Sequence, residues 1–204
     1  MGRPRRHALH RRRARGLRLV SPSTGSIRTL PGTASYDVRD VVGDSTGALY
    51  APTRNPDYLI KIVMTGGGDA TVTKAVGTGT SGYNGNTTRF GSLAPGTAVQ
   101  ISQPQGLSLG LDGNVIFAEA GNSMIRAYEP RTGHVTDVLG GLVSPGGVPQ
   151  AGFNGDGHYG DQTKLDRPLD VASPRLTPTW SPTPETTGSA NSAPAPSTRT
   201  RSAE

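Results

Sequence analysis

Residues 103–141, QPQGLSLGLDGNVIFAEAGNSMIRAYEPRTGHVTDVLGG, contain four short segments with the composition of β-strands. The segments cover residues 106–111, 115–117, 124–128 and 135–139, and they consist of alternating, β-branched or aromatic residues. The connections between them contain Asp112-Gly113, Gly121-Asn122 and Thr132-Gly133. Glycine and asparagine adopt the positive φ that tight turns require, so these connections are typical of antiparallel hairpins. The stretch therefore predicts one small, twisted, four-stranded sheet.

The second half of this unit occurs three times in the chain. Residues 16–32 align with residues 124–140 without a gap, and residues 60–77 form a third copy with a longer glycine-rich turn. A basic residue falls at one shared position of the three copies: Arg18, Lys61 and Arg126. Because the position recurs with the repeat, we interpret it as a place where long side-chain stems pack, rather than as a phosphate site.

The first half of the unit and the linkers recur as well. Residues 46–51 repeat residues 112–117, and the linker GYNG at 82–85 matches GFNG at 152–155. Residues 166–172, DRPLDVA, open a further unit. Repetition of this length and order predicts copies of one sheet that stack side by side.

These motifs resemble the NHL-repeat family. The resemblance lies in DGNVIFAEAGNSMIRAYEP, the Thr-Gly turn, VLGG, the linker GFNGDG and the new start at Arg167-Pro168, and it covers residues 16–172. It implies that the units are blades of a β-propeller. The fold class expected from the resemblance is all-β: an incomplete β-propeller of NHL-type four-stranded blades, with disordered N- and C-terminal segments.

The repeats supply too few strands to close a ring. Residues 17–31 correspond to the last two strands of a blade, 36–76 and 103–139 to two nearly whole blades, and 168–172 to the first strand of another. A propeller blade buries its faces only against neighbouring blades. We therefore expect a fragment of a larger propeller, or a part that assembles with further blades.

The two ends differ in composition from the repeats and give three expected domains: 1–15, 16–172 and 173–204. Residues 1–18 carry eight arginines and no acid, so the remainder has 13 basic and 15 acidic residues, a net charge of −2. The candidate nucleic-acid residues are Arg5, Arg6, Arg11, Arg12 and Arg13. Such an arm can contact phosphates, but no aromatic residues are interleaved to stack on bases, so a solvated terminus is favoured over a nucleic-acid partner. In the tail, nineteen of 32 residues are Ser, Thr or Pro, which predicts disorder.

Composition restricts the remaining classes. The chain has 32% hydrophobic residues, 29 glycines and 17 prolines, which argues against a helical protein. Cysteine is absent, so disulfides and thiolate metal sites are excluded. The sequence contains no apolar run long enough for a membrane span and no secretion-signal pattern. The family resemblance implies an extracellular location, which the sequence itself does not indicate.

One linker carries the densest group of polar side chains. Within GFNGDGHYGD the candidate ligand-binding residues are Asn154, Asp156, His158, Tyr159 and Asp161. Oxygen atoms spaced by glycines suit a hard cation, but the linker lacks the alternating ligands and final Glu of an EF-hand loop. The alternative is a turn-rich connector in which Asp and Asn bond their own backbone. The four histidines do not cluster and no nucleophile elbow is present, so no catalytic residue, metal or cofactor is predicted.

The leading functional hypothesis is a non-catalytic binding or scaffold module for a protein, glycan or small ligand. This follows from the implied fold, because loops on a rigid frame commonly bind ligands. The first alternative is part of a metal-dependent propeller hydrolase or lyase, similar to gluconolactonases or amidating lyases; its acidic candidates are Asp112, Glu119 and Asp170. The second alternative is an RNA binder that acts through the basic arm.

Overall fold

The structure is a computed structural model that describes residues 16–66, 68–84, 93–141, 143–144 and 147–173. The predicted basic arm, with Arg5, Arg6, Arg11, Arg12 and Arg13, lies outside the described residues. The Ser/Thr/Pro tail lies outside them too, apart from Ser173.

The described residues form twelve β-strands in three antiparallel sheets, which confirms the all-β prediction. A two-stranded sheet, called the half-blade, contains β1 Arg18–Val20 and β2 Ile27–Thr29. Blade 1 contains β3 Asp37–Val38, β4 Val42–Gly43, β5 Leu49–Arg54, β6 Tyr58–Gly66 and β7 Asp69–Val76. Blade 2 contains β8 Ala94–Pro95, β9 Pro104–Leu109, β10 Val115–Glu119, β11 Met124–Glu129 and β12 His134–Leu139. Two single 3-10 turns occur at Gly96–Ala98 and Gly160–Gln162, and none of the described helices could span a membrane.

Blade 2 is the four-stranded sheet predicted from residues 103–141, with β8 added beside β12. Its strands lie in the order β8-β12-β11-β10-β9. The first strand ends two residues before the predicted boundary, because the Gly110 N–H donates to Asn114 O at 2.8 Å and closes the turn. Asp112 Oδ1 accepts from the Asn114 N–H at 3.0 Å, which is the Asx geometry expected of an Asp-Gly turn.

The half-blade has the same strand register as the second half of blade 2. Arg18 lies opposite Thr29, and Arg126 lies opposite Asp137. The turns match too, since the glycine of each Thr-Gly pair has positive φ, 69° at Gly25 and 74° in blade 2. The gapless alignment of residues 16–32 with residues 124–140 is therefore confirmed in space.

Blade 1 corrects one residue of the predicted repeat. Ile60 lies opposite Lys74, as Arg126 lies opposite Asp137, so Ile60 and not Lys61 occupies the position of Arg126. The β6–β7 hairpin is longer than the β11–β12 hairpin, and counting residues across it misplaces β6 by one. Since side chains alternate between faces of a strand, this shift places Lys61 on the opposite face of blade 1.

Residues 168–172 occupy the place of a further first strand without forming one. Leu169 O accepts from the Gly106 N–H at 2.9 Å, so the segment lies beside β9. Arg167 and Gln103 both have φ 48°, and each precedes the proline that begins the segment or strand. The segment therefore starts with the same backbone conformation as β9, but residues 168–172 do not form a β-ladder with it.

The apolar core lies between neighbouring sheets. One cluster joins Leu17 and Leu30 of the half-blade to Ile60 and Ile62 of blade 1. The other joins the opposite face of blade 1 to blade 2 and contains Tyr50, Leu59, Val76, Ile101, Leu107, Val115, Phe117 and Val135. Each face of blade 1 is therefore buried against a different sheet, as in stacked propeller blades.

Truncation of the core between the blades should be far more costly than truncation of an exposed strand residue. Phe117 is fully buried, so we expect Phe117→Ala to lower the free energy of unfolding by about 3–5 kcal/mol. The control Ile27→Ala removes an exposed side chain and should change it by less than about 0.5 kcal/mol. Urea unfolding followed by circular dichroism measures both values, and equal losses would contradict the inter-blade core.

Candidate functional site

Three charged side chains meet on one face of blade 2 and form the ion cluster. Arg126 Nη1 lies 3.0 Å from Glu119 Oε1, and Arg126 Nε lies 2.8 Å from Asp137 Oδ1. The strands bring them together: Arg126 pairs with Phe117 on β10 and with Asp137 on β12. Glu119 follows Phe117 by two residues, which is the side-chain period of a strand, so it lies on the same face.

The ion cluster fastens linker 1, the segment of residues 77–103 that runs from the end of β7 to the start of β9 and includes β8. Glu119 Oε2 accepts from the Ser102 N–H at 3.2 Å and also from Asn122 Nδ2. Arg126 Nη1 donates to Gln100 O at 3.0 Å. The cluster therefore holds linker 1 against blade 2 through charge-assisted hydrogen bonds.

Tyr83 covers the ion cluster from linker 1. Its ring centroid lies 5.0 Å from Arg126 Cζ, within the range of a cation–π contact. Its hydroxyl donates to Asp137 Oδ2 at 3.2 Å. Burial, together with the Asp137 carboxylate, raises the pKa of Tyr83 above its ordinary value. The aromatic residue of GYNG thus pins linker 1 onto the following blade.

Burial affects the pKa of both Glu119 and Arg126. Removal of water raises the pKa of Glu119, although the Arg126 guanidinium and the hydrogen bonds to this carboxyl oppose the shift. Burial also disfavours the charged form of Arg126, but the carboxylates of Glu119 and Asp137 outweigh it and raise the pKa of Arg126. The pair has no exposed side-chain surface, so it can stabilise the fold but cannot touch a ligand.

The acidic residues of the enzyme alternative lie in separate places. Glu119 belongs to the ion cluster, Asp112 holds the β9–β10 turn, and Asp170 Oδ1 accepts from the Val171 N–H at 2.8 Å. Within the part of the chain that the structure describes, no group of three or more His, Asp or Glu residues could hold a metal ion.

Residues 140–167, which we call linker 2, repeat the hydrogen bonds of linker 1. Asn84 Nδ2 donates to Ala98 O at 3.0 Å, and its Oδ1 accepts from the Gln100 N–H at 2.9 Å. In linker 2, Asn154 Nδ2 donates to Gln162 O at 2.7 Å, and its Oδ1 accepts from the Lys164 N–H at 2.9 Å. One asparagine amide therefore clamps both ends of each loop.

The five predicted ligand-binding residues of linker 2 divide into two groups. Asn154 forms the clamp, and His158 Nε2 donates to Asn154 O at 2.8 Å, so these two side chains position the loop. Asp156, Tyr159 and Asp161 are exposed, and Tyr159 keeps 79% of its surface accessible. The loop thus presents an aromatic ring and two carboxylates to solvent.

Sequence reasoning missed the ion cluster, and Glu119 was considered only as a scattered acid. The available signal was the contrast between copies, because Asp137 stands where the half-blade has Thr29. Asp40 was missed as well. Its Oδ2 accepts from the Leu107 N–H at 3.2 Å, which joins the connection between β3 and β4 of blade 1 to β9 of blade 2.

The comparisons with known proteins show the fold. No protein-family model matches the chain, and no curated protein matches it. Its structure is similar to an auxiliary nutrient binding protein from Bacteroides thetaiotaomicron, with a TM-score of 0.58 and 16% identity, over 78% of this chain and 38% of that chain. It is also similar to an auxiliary nutrient binding protein from Bacteroides ovatus, with a TM-score of 0.57 and 17% identity, over 78% of this chain and 38% of that chain. A Bacteroides thetaiotaomicron protein of unknown function matches with a TM-score of 0.54 and 16% identity, over 78% of this chain and 37% of that chain. The chain therefore spans little more than a third of the length of these structures.

Removal of Arg126 should destabilise the fold in a pH-dependent manner. Arg126→Met leaves the buried Glu119 carboxylate without its cation, so we expect a loss of about 3–5 kcal/mol at pH 7. Because Glu119 then has a still higher folded-state pKa, its proton stabilises the fold at low pH, and this contribution is lost as the pH rises. Urea unfolding at pH 4 and pH 7 should therefore show the smaller loss at pH 4.

Two further variants separate this effect from a general loss of charge. Glu119→Gln combined with Arg126→Met should recover stability at pH 7 and abolish most of the added pH dependence. Arg131→Met removes an exposed ion pair with Glu129 and should cost less than about 1 kcal/mol. A loss for Arg126→Met that is equal at both pH values would contradict the role assigned to Glu119.

Proposed function

We propose that the described region is a non-catalytic binding module of a β-propeller, and that linker 2 forms its ligand-contacting loop. Asp156, Tyr159 and Asp161 make the contacts, while Asn154 and His158 hold the loop in place. The observation that supports this proposal is the exposed aromatic and acidic surface of linker 2 on a clamped loop. Binding residues on a loop held by a rigid frame are the usual arrangement in such folds.

The side-chain chemistry favours a polyhydroxylated ligand such as a glycan. The ring of Tyr159 offers a flat apolar face beside a hydroxyl group. The carboxylates of Asp156 and Asp161 are acceptors that suit the hydroxyl groups of a sugar. Two of the similar solved structures are called auxiliary nutrient binding proteins, which agrees with a nutrient-sized ligand.

The buried polar groups support a non-catalytic role. Glu119 and Arg126 are inaccessible and are bonded to each other, so neither can act on a substrate as an acid, base or metal ligand. The alternative of a metal-dependent hydrolase or lyase, similar to gluconolactonases, needs carboxylates or imidazoles that converge on one point. The separate positions of Asp112 and Asp170 disfavour that alternative.

We further propose that more blades adjoin the described ones, as in a larger propeller. The solved structures that share the fold are much longer than this chain. A half-blade at one side and an outer blade face at the other are surfaces that propellers bury between blades. These blades belong to more of the same polypeptide or to other chains.

Loss of Tyr159 should weaken ligand binding without unfolding the protein. The full chain is screened against a panel of mono- and oligosaccharides, and the affinity for the best binder is measured by calorimetry. Because truncation of a central aromatic contact often costs more than 1 kcal/mol, Tyr159→Ala should lower the affinity by about tenfold or more. Asp161→Asn should also lower it.

Controls separate this loop from other exposed groups and from metal chemistry. Arg131→Ala changes an exposed side chain on the β11–β12 turn and should leave the affinity unchanged. Addition of a chelator should have no effect on binding, whereas loss of binding in chelator would favour the metal-dependent alternative. No binding to any member of the panel, or equal affinity for Tyr159→Ala, would refute the proposed glycan site.

A further inference from the structure

The contact between blades 1 and 2 has two parts, both made within one chain. The aromatic residue of linker 1, Tyr83, covers Arg126 and bonds to Asp137. Beside it, Val76 of blade 1 and Val135 of blade 2 are fully buried in the shared core. One side of this contact is an outer blade face with its linker, and the other side is the inner face of the next blade.

The outer side of the same contact recurs on blade 2, where it is exposed. Phe153 of GFNG matches Tyr83 of GYNG, yet 78% of its surface is accessible. Leu139 precedes Gly140 as Val76 precedes its own glycine, and it is 39% exposed. At these two positions blade 2 therefore exposes apolar side chains whose counterparts on blade 1 and linker 1 are covered.

The inner side of the contact recurs on the half-blade, where it is exposed too. Ile27 matches the buried Val135 but is 54% exposed. Arg18 matches Arg126, and its Nη1 donates to Thr29 Oγ1 at 3.2 Å. Among the described residues no strand pairs with the second edge of β1, where β11 receives β10.

The two exposed surfaces differ from the internal contact in matching ways. Tyr83 carries a hydroxyl, and the residue that receives it is Asp137. Phe153 lacks the hydroxyl, and the residue equivalent to Asp137 on the half-blade is Thr29, which has no carboxylate. A carboxylate buried under a Phe ring would lack the hydroxyl donor that Tyr83 gives to Asp137. Because Thr29 carries no carboxylate, the ring of Phe153 can cover Arg18 and Thr29 without this cost, so the two exposed surfaces are chemically complementary.

We propose that a second copy of this chain covers these surfaces, so that copies dock head to tail. Phe153 of one copy stacks on Arg18 of the next, and Leu139 packs against Ile27, as Val76 packs in the core with Val135. This inference rests on the propeller arrangement in the proposed function but not on the glycan. The contact is heterologous, and such contacts form rings when their rotation closes.

Both surfaces can be altered without touching the core, because Phe153 and Ile27 are exposed. Sedimentation velocity of the full chain should show concentration-dependent association. Phe153→Asp and Ile27→Asp should each weaken the association by about tenfold or more, because each buries a charge at the contact. Leu111→Asp introduces the same charge at an exposed apolar site on the β9–β10 turn and should leave association unchanged.

Mixing the two variants tests the head-to-tail geometry. Phe153→Asp keeps an intact half-blade, and Ile27→Asp keeps an intact Phe153, so an equimolar mixture contains one intact contact per pair. At a concentration where each variant alone sediments as a monomer, the mixture should form heterodimers. A symmetric contact, in which the same patch meets itself, gives no such recovery.

The test distinguishes this inference from the proposed glycan site. Tyr159→Ala should weaken saccharide binding and leave sedimentation unchanged, while Phe153→Asp should weaken association and leave saccharide binding unchanged. A wild-type chain that stays monomeric at all concentrations overturns the docking proposal, whichever segment then covers Phe153. Association that is insensitive to both Phe153→Asp and Ile27→Asp overturns it as well.

Discussion

Burial between neighbouring sheets is the constraint on which this structure depends. Each blade is too thin to contain a core, so its apolar side chains are removed from water only by the next sheet. Blade 1 satisfies this requirement on both faces, with Ile60 on one and Leu59 on the other. On the half-blade and on blade 2, Ile27 and Leu139 are exposed, whereas their counterparts Val135 and Val76 are fully buried between the blades.

The same blade position is occupied by two different chemistries. Ile60 of blade 1 packs in an apolar cluster, whereas Arg126 of blade 2 is held by Glu119 and Asp137. A buried ion pair seldom stabilises a fold more than apolar residues of similar volume. The ion cluster also has an effect that apolar residues would lack. Arg126 donates to Gln100 O as well, and thereby fixes where linker 1 crosses blade 2. The ion cluster therefore lies on the face of blade 2 that linker 1 crosses.

The sequence predicted the strands and the repeat well because both depend on local patterns. Alternation and turn dipeptides located all four main strands of blade 2, and a gapless match gave the register of Arg18 and Arg126. The register of Ile60 was missed, since it depends on the length of a hairpin rather than on the strand itself. The ion cluster was missed for a related reason: Glu119 and Asp137 become neighbours only through pairing with β11.

The two linkers share the hydrogen bonds at their ends and differ in the length of the segment between those bonds. Asn84 and Asn154 make the same pair of backbone hydrogen bonds, so the ends of both linkers are positioned alike. The clamped carbonyl lies 14 residues beyond Asn84 but only 8 beyond Asn154, so the loops between these points differ in length. The core side chains of the blades pack against neighbouring sheets. In linker 2 the side chains of Asp156, Tyr159 and Asp161 are instead exposed, and the binding role proposed for this loop depends on that exposure.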